Sequence, residues 1–251
     1  MTSKILSLFT GIGGLCEEGL DFTGLQDDYK VTQFVDISPY AQTYLAEHYW
    51  RVPVHGDIRT YQATTGQFDI LCGGFPCQGT STAGSRTGFN DPRSSLWWQM
   101  LRIIKEVKPK FLIIENPTGV IDRGLRVILP ALDEIGYDAE WETITASQVG
   151  LPHRRERTFV VAYPNGIQFT QQPSPWADQV RDSITKVRFS EPERVYQPGL
   201  LEVDDGIQIE VAKRVAGNFD RRRAYGLSCS PRQAAIAWMR VDYLNKMVQQ
   251  D

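Results

Sequence analysis

The stretch ILSLFTGIGGLCEEGL, residues 5–20, decides the fold. Ile5 to Phe9 form a short apolar run, the glycines at 11, 13 and 14 interrupt it, and LCEEGL holds residues that open a helix. An apolar run ended by glycines reads as a buried strand and a tight turn, and the leucine-rich segment after them reads as a helix. The same order returns further on. VTQFVDI (31–37) precedes PYAQTYLAEHY (39–49), FDILCGG (68–74) precedes SSLWWQMLRIIKEV (94–107) across a long loop, and FLIIENP (111–117) precedes GLRVILPALDEIG (124–136). Short apolar strands alternating with helices of ten or more residues imply parallel crossovers and a sheet covered on both faces. The fold class is therefore α/β, a doubly wound and mainly parallel sheet, with ERTFVVAY (156–163) as its closing strand.

Past Tyr163 the texture changes. PNGIQFTQQPSPWADQ (164–179) is rich in proline, glutamine and asparagine. A boundary is expected near 164, with residues 1–163 forming the sheet domain and 164–212 a small irregular lobe. Residues 213–251 then hold a basic segment and a helix, SPRQAAIAWMRVDYLNKMV (230–248), whose apolar residues at helical spacing should pack back on the sheet. No run of about 20 apolar residues is present, and the start MTSKILSLFTGIGG has no charged segment leading into a long apolar one, so a soluble, cytoplasmic chain without a membrane partner is expected. The four cysteines lack zinc-like pair spacing and read as thiols, with no metal site. A net charge of −3 excludes a chain-wide electrostatic grip on nucleic acid. Local charge is another matter, because HRRER (153–157) and KRVAGNFDRRR (213–223) are concentrated basic clusters.

Several residues stand where a sheet of this kind keeps its chemistry, at the carboxyl ends of strands. The TGIGG turn lets backbone approach a ligand, although a dinucleotide fingerprint would want glycine or alanine where Cys16 stands. Asp36 ends one strand, where a carboxylate can hold ribose hydroxyls, and Asp57 of HGDIRTY can accept from an exocyclic amine. Cys77 sits in GGFPCQGTSTAG (73–84) between a proline and a glutamine, presented by a polar loop at a strand end, which suits a nucleophile better than a core thiol. Glu115 and Asn116 end FLIIENP, where burial demands partners with donor groups. Arg155 and Arg157 lie two apart, on one side of an extended segment, and suit a carbonyl, phosphate or carboxylate.

SLFTGIGGL, VDISPYA, GDIRTY, GGFPCQG, FLIIENP and VGLPHRRERTFVVAY, in this order, resemble the cytosine-5 DNA methyltransferase family, most of all its short bacterial and phage members. The resemblance implies a catalytic domain over 1–163 in which Cys77 adds to carbon 6 of a flipped cytosine in double-stranded DNA and a methyl group from S-adenosylmethionine reaches carbon 5. Glu115 would engage ring nitrogen 3, and Arg155 and Arg157 would belong to the family's arginine element, Arg157 meeting the cytosine carbonyl. Phe9, Gly11, Gly13 and Gly14 would border the donor's methionine, Asp36 its ribose, Ile37 and Ile58 its adenine, Asp57 the adenine amine, and Leu96 a further donor-lining position. Leu227 and Ser228 would stand at the C-terminal donor element. Pro76, Gln78, Ser81 and Asn116 would face the substrate, while Lys213, Arg214, Arg221 and Arg222 would contact phosphates. A monomer is expected.

Three departures accompany the resemblance: His153 replaces a glutamine, Pro117 a valine, and Leu227 an asparagine that faces the donor. The last keeps open a modified donor. An RNA acceptor and a non-catalytic nucleic-acid-binding homologue are the other readings. With only about 40–50 residues between Tyr163 and the basic segment that begins at Lys213, short of an ordinary domain, a minimal target-recognition lobe over 164–212 is expected.

Overall fold

The structure, a computed structural model, describes residues 2–76, 96–189, 200–202, 208–210 and 229–249. β1 (Ser3–Leu8), β2 (Tyr29–Val35), β3 (Val54–His55), β4 (Ile70–Gly73), β5 (Phe111–Pro117), β6 (Tyr137–Thr145) and β7 (Glu156–Pro164) form one sheet in the order β3-β2-β1-β4-β5-β7-β6. β1 to β5 are mutually parallel, and β7 runs antiparallel to both β5 and β6. The doubly wound, mainly parallel sheet is thus present, with one reversed strand. That reversal positions the site, because it brings the start of β7 to the edge where β5 ends.

Each face of the sheet has its own core. On one side Ile5, Phe34, Phe111, Ile113 and Phe159 pack against α1 (Glu17–Asp21), α2 (Pro39–His48), α6 (Trp176–Phe189) and α7 (Pro231–Met247). On the other, Leu6, Leu71, Leu112 and Ile114 meet α3 (Leu96–Val107), α4 (Gly119–Arg123) and α5 (Leu125–Glu134). The alternation of strand side chains assigns the faces: Phe111 and Ile113 point one way, Leu112 and Ile114 the other. α3 shows why the helices form where they do. Trp97, Met100, Leu101, Ile104 and Val107 recur at helical spacing and are all buried. The helix stops where Lys108 turns to φ 51° and Pro109 cannot continue it.

α7 lies deep. Trp238 Nε1 donates to Leu15 O at 2.7 Å, Tyr29 Oη donates to Asp242 at 3.2 Å, and Ala234 approaches Gly19 so closely that a Cβ on that glycine would lie 2.8 Å away. Arg240 is 2% exposed and grips Glu140 of β6 with Nε at 2.6 Å and Nη2 at 2.8 Å, while Nη1 reaches Gln179 of α6.

The irregular texture expected over 164–212 is in part regular. α6 is a 14-residue helix whose Trp176 and Val187 are buried in the sheet core. Its apolar residues Trp176, Val180, Ile184 and Val187 follow a 4-4-3 spacing that the surrounding proline and glutamine obscure. Before it, Phe169 bridges Val248 and Thr170 N donates to Met247 O at 2.8 Å, which ties the segment after β7 to the end of α7. β8 (Leu200–Glu202) and β9 (Gln208–Glu210) form an antiparallel pair. β6 is the other addition to the expected elements. It is an edge strand carrying Asp138, Glu140 and Glu142, so it lacks an apolar run, and charge on an edge discourages pairing with another chain. Cys16, Cys72 and Cys229 are buried thiols outside any disulfide. Among the described residues no helix is long and apolar enough to cross a membrane, and no cluster of three metal-ligating side chains occurs.

Candidate functional site

The chain leaves β1 through a strained turn. Phe9 adopts φ 53°, a left-handed conformation rare for a bulky residue, and Gly11 and Gly13 follow at 58° and 96°. A Cβ on Gly11 would meet nothing within 4 Å, so the backbone there borders open space. Gly14 completes the turn. The Asp36 carboxylate at the end of β2 fixes this loop by accepting from Gly11 N at 2.7 Å and from Ser38 N at 2.8 Å. Burial pushes its carboxyl above the ordinary value, and those two amides pull against the shift. Beside it Ile37 is 61% exposed, a large apolar side chain left uncovered at a strand end. Open backbone at Gly11, a fixed carboxylate and an uncovered isoleucine fit an adenosine-sized ligand at the switch point between β1 and its neighbours.

The remaining expected donor residues are less open. Ile58 is only 5% exposed and packs in the core with Val35, Tyr61 and Trp97; Leu96, opening α3, packs against the same cluster. Asp57 is engaged by its neighbour: Arg59 Nη2 donates at 2.6 Å and Nε at 2.9 Å to Oδ2, and the guanidinium holds the Asp57 carboxyl below its usual range. The loop itself is pinned from α3, where Arg102 Nη2 donates to Ile58 O at 2.7 Å and to Tyr61 O at 3.0 Å.

The second half of the site lies where β4, β5 and β7 meet. Glu115 Oε1 stands 2.7 Å from Arg157 Nε; the two side chains are 10% and 12% exposed. The pairing is diagonal across the antiparallel β5–β7 ladder, in which Glu115 opposes Phe159 and Pro117 opposes Arg157. Burial raises the Glu115 carboxyl above the ordinary range, opposed by the positive charges of Arg157 and Arg155. Removal from water outweighs the two cations, so this carboxyl keeps its proton to higher pH than a surface glutamate. The other carboxylate oxygen lies over Gly74, where a Cβ would come within 2.6 Å of Oε2. Gly74 is three residues before Cys77, and Pro76, the last described residue of that stretch, is partly buried. Asn116 does not join this group. It is 2% exposed and, next to Glu115 on a strand, points to the opposite face, where its Nδ2 has no hydrogen-bond partner.

Cys77, Gln78, Ser81, Lys213, Arg214, Arg221, Arg222, Leu227 and Ser228 lie outside the described residues. Two residues with a place in the site were not singled out from sequence. Gly74 is signalled only by the doubled glycine after β4. Gln233 of α7 donates through Nε2 to Ile144 O at 2.6 Å and to Arg155 O at 3.0 Å, and its sequence signal is that of a helix start.

A profile of the C-5 cytosine-specific DNA methylases matches residues 3–214. The Type II methyltransferase M.MspI of a Moraxella species is 32% identical over 226 residues, covering 85% of this chain and 52% of that protein. M.NlaX of Neisseria lactamica is 39% identical over 168 residues, covering 64% and 52%, and an orphan methyltransferase of Bacillus phage SPR is 35% identical over 165 residues, covering 63% and 37%. The chain spans about half the length, or less, of these curated relatives. Among solved structures, the Entamoeba histolytica methyltransferase EhMeth superposes with TM-score 0.66 at 16% identity over 98% of both chains. The S. pombe Dnmt2 methyltransferase gives 0.56 at 22% identity, over 72% of this chain and 54% of that one. At such identities these two establish the fold alone, a Rossmann-like methyltransferase sheet.

Proposed function

The chain belongs to the C-5 cytosine-specific DNA methylase family, and from that premise we propose that it transfers a methyl group from S-adenosylmethionine to carbon 5 of cytosine in double-stranded DNA. The observation that carries the reading is the Glu115–Arg157 pair: a buried carboxyl, raised above the ordinary range by burial, 2.7 Å from a guanidinium and over the glycine that leads into FPCQ.

In this reading the target cytosine leaves the stack, because neither face of its carbon 5–carbon 6 bond is open inside a duplex. The Cys77 thiolate forms a bond to carbon 6. Electron density moves toward nitrogen 3 and the ring carbonyl, where Glu115 supplies a proton and Arg157 a hydrogen bond. Arg155 keeps a second positive charge near the developing negative one. Carbon 5, now electron-rich, is the atom that is methylated. Solvent water takes the carbon 5 proton, the carbon 6–sulfur bond breaks to release the Cys77 thiolate, and nitrogen 3 returns its proton to Glu115, which restores the ring. S-Adenosylmethionine would supply an electrophilic methyl group on a sulfonium centre, its sulfur leaving as the neutral thioether of S-adenosylhomocysteine. Phe9, Gly11, Gly13 and Gly14 would border its amino-acid end, Asp36 its ribose, and Ile37 and Ile58 its base, with Leu96 at a further donor-lining position; Asp57 would meet the adenine amine by sharing its carboxylate with Arg59. Pro76, Gln78 and Ser81 would stand beside the flipped base. Lys213, Arg214, Arg221 and Arg222 would neutralise phosphates, which positions the duplex without reading it.

The test is methyl transfer from isotopically labelled donor to a cytosine-containing duplex. Label should appear at carbon 5, and a duplex with fluorine at that carbon should trap a covalent adduct, since the final proton loss is blocked. Both should vanish in Cys77→Ala. Label that survives this substitution, or wild-type protein that neither labels nor traps, refutes the reading.

A further inference from the structure

Ser230-Pro231-Arg232-Gln233 has the form of a helix start in which a glutamine three residues after a serine folds back on the serine amide. The structure uses Gln233 differently. Ser230 makes no side-chain capping bond, and its Oγ is buried without a hydrogen-bond partner. Gln233 is fully buried, and its Nε2 turns toward the sheet to donate to Ile144 O at 2.6 Å and Arg155 O at 3.0 Å, while its Oε1 is left without a partner. Two buried oxygens without donors are a cost that an apolar residue at 233 would reduce, so packing alone does not account for glutamine there.

The two carbonyls it holds are not arbitrary. Ile144 is paired with Arg157 in the β6–β7 ladder, and the Arg155 carbonyl, just before β7, also accepts from Ala146 N at 2.8 Å. One side-chain amide therefore joins both sides of the mouth of the 146–155 loop, at the backbone from which the two arginines extend. We propose that Gln233 is a positioning residue that clamps this mouth so that Arg155 and Arg157 stay against Glu115. The inference rests on the reading of Glu115 and Arg157 as the groups that meet the cytosine. It adds that their placement is set by α7, a helix from the opposite part of the chain.

Gln233→Met tests it, since methionine is close in volume and removes both the donor and the unpartnered oxygen. The expected result has four parts. Thermal unfolding stays at or above the wild-type midpoint. The kcat for methyl transfer falls at least about tenfold while affinity for S-adenosylhomocysteine, read by calorimetry, is unchanged, the loss of orientation being felt in the reaction and not in donor binding. The alkaline limb of the pH–rate profile moves to higher pH, because arginines held less firmly oppose the burial of Glu115 less. Backbone amides of 144–157 exchange faster with deuterium. Wild-type kcat with an unmoved limb overturns the proposal. So does a variant that fails to fold, or one whose loss is explained by weaker donor binding, because Gln233 is then structural. Wild-type protein that neither labels nor traps DNA sinks the reading of the site instead, and the exchange comparison still decides whether the clamp exists.

Discussion

Replacing Gly74 with alanine would put a methyl carbon 2.6 Å from Glu115 Oε2 and 3.2 Å from the Glu115 carbonyl oxygen. Carbon and oxygen in weak contact rest at about 3.3 Å or more, so the carboxylate must retreat by about 0.7 Å. It has little room, because its other oxygen stands 2.7 Å from Arg157 Nε inside a nearly closed site. The backbone does not object. Gly74 is outside the left-handed region, and alanine in an allowed conformation lowers the entropy of the unfolded chain. The substitution therefore acts on the position of one carboxyl and little else. Misplacement by about 1 Å costs reactions on the order of 100-fold. Gly74→Ala should accordingly lower kcat by roughly 30- to 100-fold, equivalent to about 2–3 kcal/mol of transition-state stabilisation. Labelled methyl transfer at saturating donor and duplex measures this, with S-adenosylhomocysteine affinity and the thermal midpoint as controls. A folded variant within about threefold of wild-type kcat would refute the reasoning, since Glu115 would then tolerate displacement or take no part.

Arg240→Ala should destabilise the protein by about 3 kcal/mol in urea unfolding, because a guanidinium bound at two points to Glu140 is removed from a site that water scarcely reaches; a loss below about 1 kcal/mol would show the pair to be idle. Asp36→Ala removes the acceptor of two charge-assisted bonds that tie the glycine turn to β2, so donor-product affinity should weaken at least about tenfold in calorimetry, with KM for duplex unchanged. For pH, the proposed role of Glu115 is that of proton donor, and its carboxyl is raised by burial, so the rate should be level on the acid side and fall as pH climbs through that raised value. Arg157→Gln removes an opposing charge, and should move the fall to higher pH while lowering the maximum. The same shift affects stability: the folded state holds this proton more tightly than the unfolded one, so the contribution is largest below the ordinary glutamate range, about 4.3, declines up to the raised value and is flat beyond it. Thermal midpoints against pH, compared with Glu115→Gln, which lacks the titration, measure that term.

The alternation of apolar runs with helices made the parallel sheet legible, and the glycine turn marked the edge that carries open backbone at Gly11. Arg157 was legible as one of two arginines on one side of a strand. That it meets Glu115 was not, because the meeting depends on β7 running against β5, and direction leaves no trace in a run such as TFVVAY. Asp57 shows a local competitor winning: Arg59, two residues on, takes the carboxylate in the structure. Asn116 shows the strand period at work, since its neighbour Glu115 fixed which face carries charge. β6 and α6 escaped for opposite reasons, one through an acidic edge without an apolar run, the other through an apolar stripe set among prolines and glutamines.

The packing of α7 on the first strand and helix has a consequence for how the protein is made. Trp238 and Leu15, joined by a hydrogen bond, are 223 positions apart. Chains grow at about 5–20 residues per second, so roughly 10–45 seconds pass between the synthesis of Leu15 and that of its partner. Throughout that interval the face of Ile5, Cys16 and Leu20 that α7 will cover is without its lid, and the loop that carries Arg155 is without Gln233. A nascent chain is thus at its most adhesive before α7 emerges, and the clamp proposed for the arginine pair cannot form until that helix has been made.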